Sequence, residues 1–120
     1  MNINPYNILK IIAALATAIT GLLALVKPGA VHGFTGLQET GPRGISEIRS
    51  IFGGLFIGLG LAPLFLGVTA FTMLGIGYLV IAVVRAFSIV FDKSYDRSNW
   101  ISLAIEVVLG VILVIPSAGA

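Results

Sequence analysis

Cysteine is absent from this sequence, and histidine occurs only once, at position 32. Without thiols the chain cannot build a disulfide framework, a thiolate metal site or a cysteine nucleophile. A metal site on His32 would need carboxylates from elsewhere, so we predict a solvated loop histidine and no metal site. The sequence also lacks serine-nucleophile, phosphate-loop and dinucleotide motifs. It therefore identifies no catalytic residue and no cofactor, and it favours a protein that is not an enzyme.

Charge is also scarce. Of the 120 residues, 10% are charged and 58% are hydrophobic, whereas an ordinary globular domain is about a quarter charged. The mean hydropathy is +1.08, which excludes both a water-soluble domain and a disordered chain. The net charge of +2 comes from dispersed cations that form no basic stripe, so no nucleic-acid partner is expected. The composition predicts a small integral membrane protein whose first partner is the lipid bilayer.

The apolar sequence divides into four membrane-spanning helices. No charge occurs between Arg49 and Arg85, and this stretch is too long for one crossing, which takes about 20 residues. Pro63 and Gly67 favour a break within it. The predicted fold is an all-α, integral membrane four-helix bundle, a single domain over residues 1–120 with both termini on the same side. Its helices are predicted at about residues 5–26, 45–66, 70–91 and 99–115.

The charges gather on one side of this predicted bundle. We call the side of the connecting loops 28–44 and 92–98 the loop side, and the opposite side the terminal side. Every charged residue except Lys10 lies on or nearer to the loop side. Because cytoplasmic loops are enriched in Lys and Arg, we predict that both loops are cytoplasmic and that both termini are outside.

Four ionisable side chains fall at one level inside the predicted helices, near the loop side. Charges at this depth need partners or an aqueous cavity, so we expect the four to pair with one another. Such a cluster either binds a ligand or only locks the register of the bundle. The four are Glu47, Arg49, Arg85 and Glu106, and the polar side chains expected beside them are Ser50, Tyr78, Ser88 and Ser102.

Glycines on the terminal side of these charges predict close helix packing. Gly53, Gly54 and Gly58 lie on the second predicted helix. A four-helix chain already has neighbours for this face, so packing within the monomer is favoured over a dimer seam. The Gly-rich connection 27–44 is compatible with a lid over the polar pocket or with a hydrated linker.

One run of residues resembles a known signature. Segment 47–54 reads Glu-Ile-Arg-Ser-Ile-Phe-Gly-Gly, and segment 58–61 reads Gly-Leu-Gly-Leu. This run resembles the signature of a bacterial family of small four-helix membrane proteins catalogued as a domain of unknown function, which is similar in layout to DoxX-like proteins. Arg85 and Glu106 match an Arg near the end of its third span and a Glu in its fourth. The resemblance implies the fold, a bacterial inner membrane and the interest of the four charged residues, but no activity.

Three functional hypotheses follow from the sequence. The first is a loop-side polar cavity that binds a lipid-like, quinone-like or small anionic ligand between the helices. The second is a non-catalytic accessory subunit that stabilises a larger membrane complex or a homo-oligomer. A transporter or channel is the third, and it ranks lower because the terminal side offers few polar groups for a path across the membrane: Lys10, Thr17, Thr20, Thr69 and Thr72.

Overall fold

Four helices make up almost all of the described chain. The computed structural model describes residues 5–29 and 41–116. Each helix is long and apolar enough to cross a membrane, and even the 18 residues of the last one extend about 27 Å. The predicted all-α fold is therefore confirmed. The helices are α1 (Pro5–Val26), α2 (Gly41–Leu66), α3 (Val68–Phe91) and α4 (Arg97–Val114).

Large apolar side chains cover the outside of the bundle. Phe65 is 83% exposed, Phe91 is 77% exposed and Met73 is 70% exposed, and other large apolar residues are exposed on all four helices. Water solvates such a surface poorly, at a cost of about 25 cal/mol per Å², whereas the hydrocarbon of a bilayer solvates it well. The chain is therefore a multi-pass membrane protein whose outer surface contacts lipid.

The helices pair as two hairpins, each held by close contacts at small residues. In the first hairpin, α1 packs on α2 where Gly21 meets the Gly53 carbonyl and where Gly60 meets the backbone around Ala18. In the second hairpin, α3 packs on α4 where Gly75 approaches Gly110. Small residues allow helix backbones to approach closely, which strengthens van der Waals packing in lipid.

The two hairpins pack on each other mainly in the terminal-side half of the bundle. The buried core there contains Ala13 and Ala14 of α1, Phe71 and Leu74 of α3, and Leu113 of α4. The other buried cluster, in the loop-side half, lies within the first hairpin. The hairpins therefore meet around this core in the terminal-side half, and they are less closely packed on each other in the loop-side half.

The first and last turns of the bundle lie together. The Tyr6 hydroxyl near the start of α1 donates a 2.9 Å hydrogen bond to the Ile112 carbonyl near the end of α4. This contact places both ends of the described chain on one side, in agreement with the predicted topology. Lys10 is buried nearby, with its ammonium 5.5 Å from the centroid of the Tyr6 ring, within reach of a cation–π interaction.

Several helix ends differ from the prediction. The second helix begins at Gly41 and the fourth at Arg97, because polar residues such as Arg43 and Ser98 continue a helix beyond the apolar stretch that marks a span. The third begins at Val68, directly after the break. The break between α2 and α3 is the single residue Gly67, whose φ of 82° favours glycine. The break therefore falls within the predicted stretch 63–69, and Pro63 lies in the last turn of α2, as the predicted helix 45–66 has it.

The loop-side part of α2 is not an ordinary α-helix. Residues Ile48–Leu55 form a π-helical segment between the α-helical parts Gly41–Glu47 and Phe56–Leu66. A π-helix has more residues per turn than an α-helix, because its hydrogen bonds join residues five apart. The segment coincides with most of the run that resembles a family signature, and such segments are frequent at functional sites.

The three glycines of α2 that were expected to pack helices divide into two groups. Gly53 faces α1, where an added Cβ would lie 3.1 Å from the Leu25 Cβ. At Gly54 and Gly58, an added Cβ would have no heavy atom within 4 Å. The interpretation of Gly54 and Gly58 as a packing face within the monomer is therefore corrected: the π-helical turn directs them outwards, and Gly60 takes the place next to α1.

Substituting the buried and the exposed glycine of α2 tests this packing. We expect Gly60→Ala to lower the stability by about 1–3 kcal/mol, because the new Cβ would lie 2.6 Å from the Ala14 carbonyl oxygen. Gly58→Ala is the matched control, and better helix propensity should leave it equal to the parent or more stable by up to about 1 kcal/mol. Unfolding in detergent micelles measures both, and equal effects of the two variants would contradict the packing described.

Candidate functional site

An ion pair joins α3 to α4 in the loop-side half of the bundle. The Nε of Arg85 donates a 2.7 Å hydrogen bond to Glu106 Oε1, and its Nη2 donates a 2.6 Å hydrogen bond to Oε2. This bidentate geometry is the strongest form of a carboxylate–guanidinium contact. The side chains are only 29% and 10% exposed, so the pair lies largely outside solvent, where breaking it would leave an uncompensated charge.

Asn99 completes the surroundings of the guanidinium. Its Oδ1 accepts a 2.8 Å hydrogen bond from Arg85 Nη1, while its Nδ2 donates to the Ser94 carbonyl at 3.1 Å and to the Ser94 hydroxyl at 3.0 Å. Asn99 thereby ties the start of α4 and the preceding loop to the ion pair. The sequence analysis did not include Asn99 among the candidate site residues. Its spacing of seven residues from Glu106, which places both on one helix face, was the available signal.

The ion pair forms part of the wall of a cavity of about 290 Å³ between the two hairpins. The cavity also has Ser102, Tyr78 and Thr20 on its walls, and the remaining lining is apolar. All four helices contribute. Ile101 and Ile105 line the cavity and are about half exposed, so the cavity opens sideways to the lipid. Its apolar lining residues are Ala16, Ala24, Phe52, Phe56, Ile101, Ile105 and Leu109.

A hydrogen bond between Thr17 and Tyr78 lies at the terminal-side end of this cavity. The two hydroxyl oxygens are 2.5 Å apart, and the Thr17 hydroxyl also bonds to the Ala13 carbonyl at 2.9 Å. A carbonyl only accepts, so the single Thr17 proton goes to Ala13 and Tyr78 donates its own proton to Thr17. The Tyr78 oxygen therefore keeps acceptor capacity for another donor.

The expected four-charge cluster is corrected, because the structure pairs only two of its members with each other. Glu47 is bound by Arg43 at 2.5 Å, and both side chains are exposed. Arg49 is also exposed, and its Nε donates a 3.0 Å hydrogen bond to the Leu25 carbonyl. The prediction used a period of 3.6 residues along α2, and the π-helical segment changes that period between Glu47 and the cavity level.

The polar residues expected beside the cluster divide in the same way. Tyr78 and Ser102 line the cavity. Ser88 instead donates a 2.6 Å hydrogen bond to Asp92 and lines an outer groove beside Arg85. Ser50 lines another outer groove next to Arg49. Of the eight predicted residues, the structure brings together four at the cavity: Arg85, Glu106, Tyr78 and Ser102.

Sequence reasoning counted Thr17 and Thr20 among the terminal-side polar groups, and this is corrected: Thr20 lines the loop-side cavity and Thr17 bonds to Tyr78. It also missed the aromatic wall from α2. Thr20 and Thr17 are three residues apart and lie on one face of α1, next to the space between the hairpins. This spacing can be seen in the sequence. Phe52 and Phe56 contact each other with ring centroids 5.9 Å apart. His32 and most of the connection 27–44 lie outside the described residues. The solvated histidine and the lid therefore stay predictions.

A family model described as a domain of unknown function (DUF4345) matches residues 6–116 of this chain. The match includes all four helices and the whole cavity wall. No curated protein and no solved structure matches the chain. Among residues 5–29 and 41–116, no group of three His, Asp or Glu side chains is placed to hold a metal ion.

The buried pair Arg85–Glu106 and the exposed pair Arg43–Glu47 allow the effect of burial on stability to be compared. We expect Glu106→Gln to destabilise the protein by about 3 kcal/mol, because it leaves the Arg85 charge without its carboxylate in a medium of low dielectric. Glu47→Gln removes the partner of the exposed Arg43, so it should change the stability by less than about 1 kcal/mol. Unfolding in micelles at constant pH compares them, and similar losses would argue against a buried, energetically important pair at Arg85.

Proposed function

The chain belongs to the DUF4345 family, and we propose that it binds a lipid-like or quinone-like ligand in the loop-side cavity. The observation that carries this proposal is the Arg85–Glu106 pair in the wall of a mostly apolar cavity of about 290 Å³. A pair that only locked the register would be best stabilised by close packing around it. Here space for a ligand remains beside the charges.

The groups in the wall suit the polar head of such a ligand. Glu106 and Asn99 engage three of the N–H groups of Arg85, and a guanidinium has five. Two N–H donors therefore remain for an oxygen of a ligand. The Tyr78 oxygen and the Ser102 hydroxyl supply further polar contacts. Small-molecule sites combine apolar walls with a few polar groups in this manner.

The sideways opening suits a ligand that arrives through the bilayer. Ile101 and Ile105 lie at the opening and are exposed on the lipid-facing surface. A hydrophobic molecule dissolved in the membrane can enter there without crossing water. This route favours a lipid or a quinone-like ring over a small water-soluble anion.

A second candidate function is that of an accessory subunit, and the outward-facing glycines of α2 favour it. Gly54 and Gly58 leave open space on the lipid-facing surface, where the helix of another protein or of a second copy could approach closely. In gentle detergent, an accessory subunit is recovered with a stoichiometric partner that Gly54→Leu and Gly58→Leu release. A ligand-binding protein is recovered with its small molecule.

Neutralising the buried ion pair tests the proposed ligand site. Arg85→Gln combined with Glu106→Gln removes both charges together, so no unpaired charge remains and the bundle should fold. We expect the lipid or quinone-like molecule that co-purifies with the protein to decrease about tenfold, equivalent to about 1.4 kcal/mol of binding free energy. Solvent extraction and mass spectrometry measure it.

The exposed ion pair provides the control for this experiment. Arg43→Gln combined with Glu47→Gln makes the same chemical change outside the cavity. This variant should retain the ligand of the parent. Extracts that are identical for the parent and both double variants, or that contain no specific molecule, would contradict the proposal.

We also propose that the protein lies in a bacterial inner membrane with its loops on the cytoplasmic side, on the basis of the cations there. The absence of cysteine makes single-cysteine labelling straightforward. Tyr95→Cys reports on the loop side and Val68→Cys on the terminal side. In spheroplasts, an impermeant maleimide should label the Val68→Cys protein directly and the Tyr95→Cys protein only after permeabilisation. The reverse pattern would overturn the orientation.

A further inference from the structure

A second cavity lies on the other side of Tyr78. It has a volume of about 210 Å³ and is lined by residues of α1, α2 and α3. Tyr78 and Phe56 line both cavities, so the two are neighbours. Met73 is 70% exposed and lines the second cavity, which therefore opens to the lipid between α2 and α3. Apart from Thr17 and Tyr78, the lining residues among 5–29 and 41–116 offer no side-chain polar group: Phe56, Leu59, Met73, Leu74, Gly77 and Ile81.

The charges of the first cavity cancel each other. Arg85 and Glu106 are bonded in a bidentate pair, and the other residues that line this cavity within the described part of the chain carry no charge. A ligand with a net charge would enter a medium of low dielectric without a counter-ion, which is strongly unfavourable. An uncharged head with a hydroxyl or carbonyl group would instead accept hydrogen bonds from the remaining donors of Arg85, and a hydroxyl head would also donate to the Tyr78 oxygen.

The depth of the Arg85–Glu106 pair in the membrane also favours a ligand with an uncharged head. Between Arg85 and the loop-side end of α3 at Phe91, the helix rises about 9 Å. A phosphate headgroup stays with water at the membrane surface, above this level. A neutral head tolerates the depth, because its transfer into an apolar medium costs far less than that of an ion.

We propose that the ligand is an uncharged amphiphile with a single apolar chain, which binds with its head at Arg85 and its chain in the second cavity. This inference rests on the proposed function and names the class of the ligand. From Arg85 to Met73 the helix α3 rises about 18 Å, and the chain must extend over a similar distance. It passes Tyr78, whose bond to Thr17 lies where the cavities meet.

A substitution at Gly77 tests the part of this site that would hold the apolar chain of the ligand. It lines the second cavity, and an added Cβ would have no heavy atom within 4 Å. Gly77→Leu should therefore fill the cavity while the helices keep their packing. Gly58→Leu is the matched control, because Gly58 also has open space around it and lines neither cavity.

The experiment uses a long-chain alcohol with a photoreactive diazirine at the end of its chain, added to the full-length protein in nanodiscs. We expect saturable labelling at Leu59, Met73 or Leu74. Tetradecanol should compete with the label, hexanol should compete more weakly, and tetradecyl phosphate should compete at least about tenfold more weakly than tetradecanol. Peptide mapping by mass spectrometry identifies the labelled residues.

The variants then separate the inference from the proposed function. Gly77→Leu should weaken competition by tetradecanol about tenfold and leave competition by hexanol unchanged, and Gly58→Leu should behave like the parent. Equal competition by the phosphate, labelling confined to the first cavity, or no effect of Gly77→Leu would overturn the inference and leave the proposed function standing. Labelling that is not saturable, or that the Arg85→Gln/Glu106→Gln variant does not reduce, would overturn both.

Discussion

The Arg85–Glu106 ion pair is the constraint on which the rest of the loop-side half depends. In hydrocarbon neither charge can be left alone, so the pair fixes the relative position of α3 and α4 at the level where the hairpins separate. Asn99 extends this constraint to the loop before α4. The first hairpin contributes apolar and small residues at the same level. The cavity therefore has a wall from α3 and α4 in which the polar groups are held in a fixed geometry. Its other wall, from the first hairpin, is mostly apolar.

Small residues determine where the bundle is closed and where it is open. Gly75 and Gly110 bring α3 and α4 together near the terminal side, where Phe71 and Leu113 fill the space between the hairpins. Nearer the loop side, Phe52 and Phe56 of α2 contact each other and line the cavity. Tyr78 stands between these regions and is held by Thr17 across the hairpins. The same packing rules that close the core around Phe71 and Leu113 thus leave cavities on the two sides of Tyr78.

The fold could be predicted from the sequence because a membrane imposes few solutions. Long apolar runs determine four spans, and their even number places both ends together. The buried pair of Arg85 and Glu106 also follows, since isolated charges at that depth are excluded. The places of Glu47 and Gly58 did not follow, because face assignments assume a constant helical period and the segment Ile48–Leu55 is π-helical. No local propensity rule applied to that run distinguishes a π-helix from an α-helix.

The scarcity of charge and its position have one physical explanation. Arg43, Glu47 and Arg49 stay exposed near the loop side, where water and headgroups solvate them and where cations influence orientation. Deeper in the bundle, Arg85 and Glu106 pair with each other in the cavity wall, and Lys10 on the terminal side has its ammonium 5.5 Å from the centroid of the Tyr6 ring. The cavity is therefore polar without carrying a net charge. A site of this kind can hold the head of a ligand by hydrogen bonds while remaining stable when it is empty, because the pair already satisfies itself.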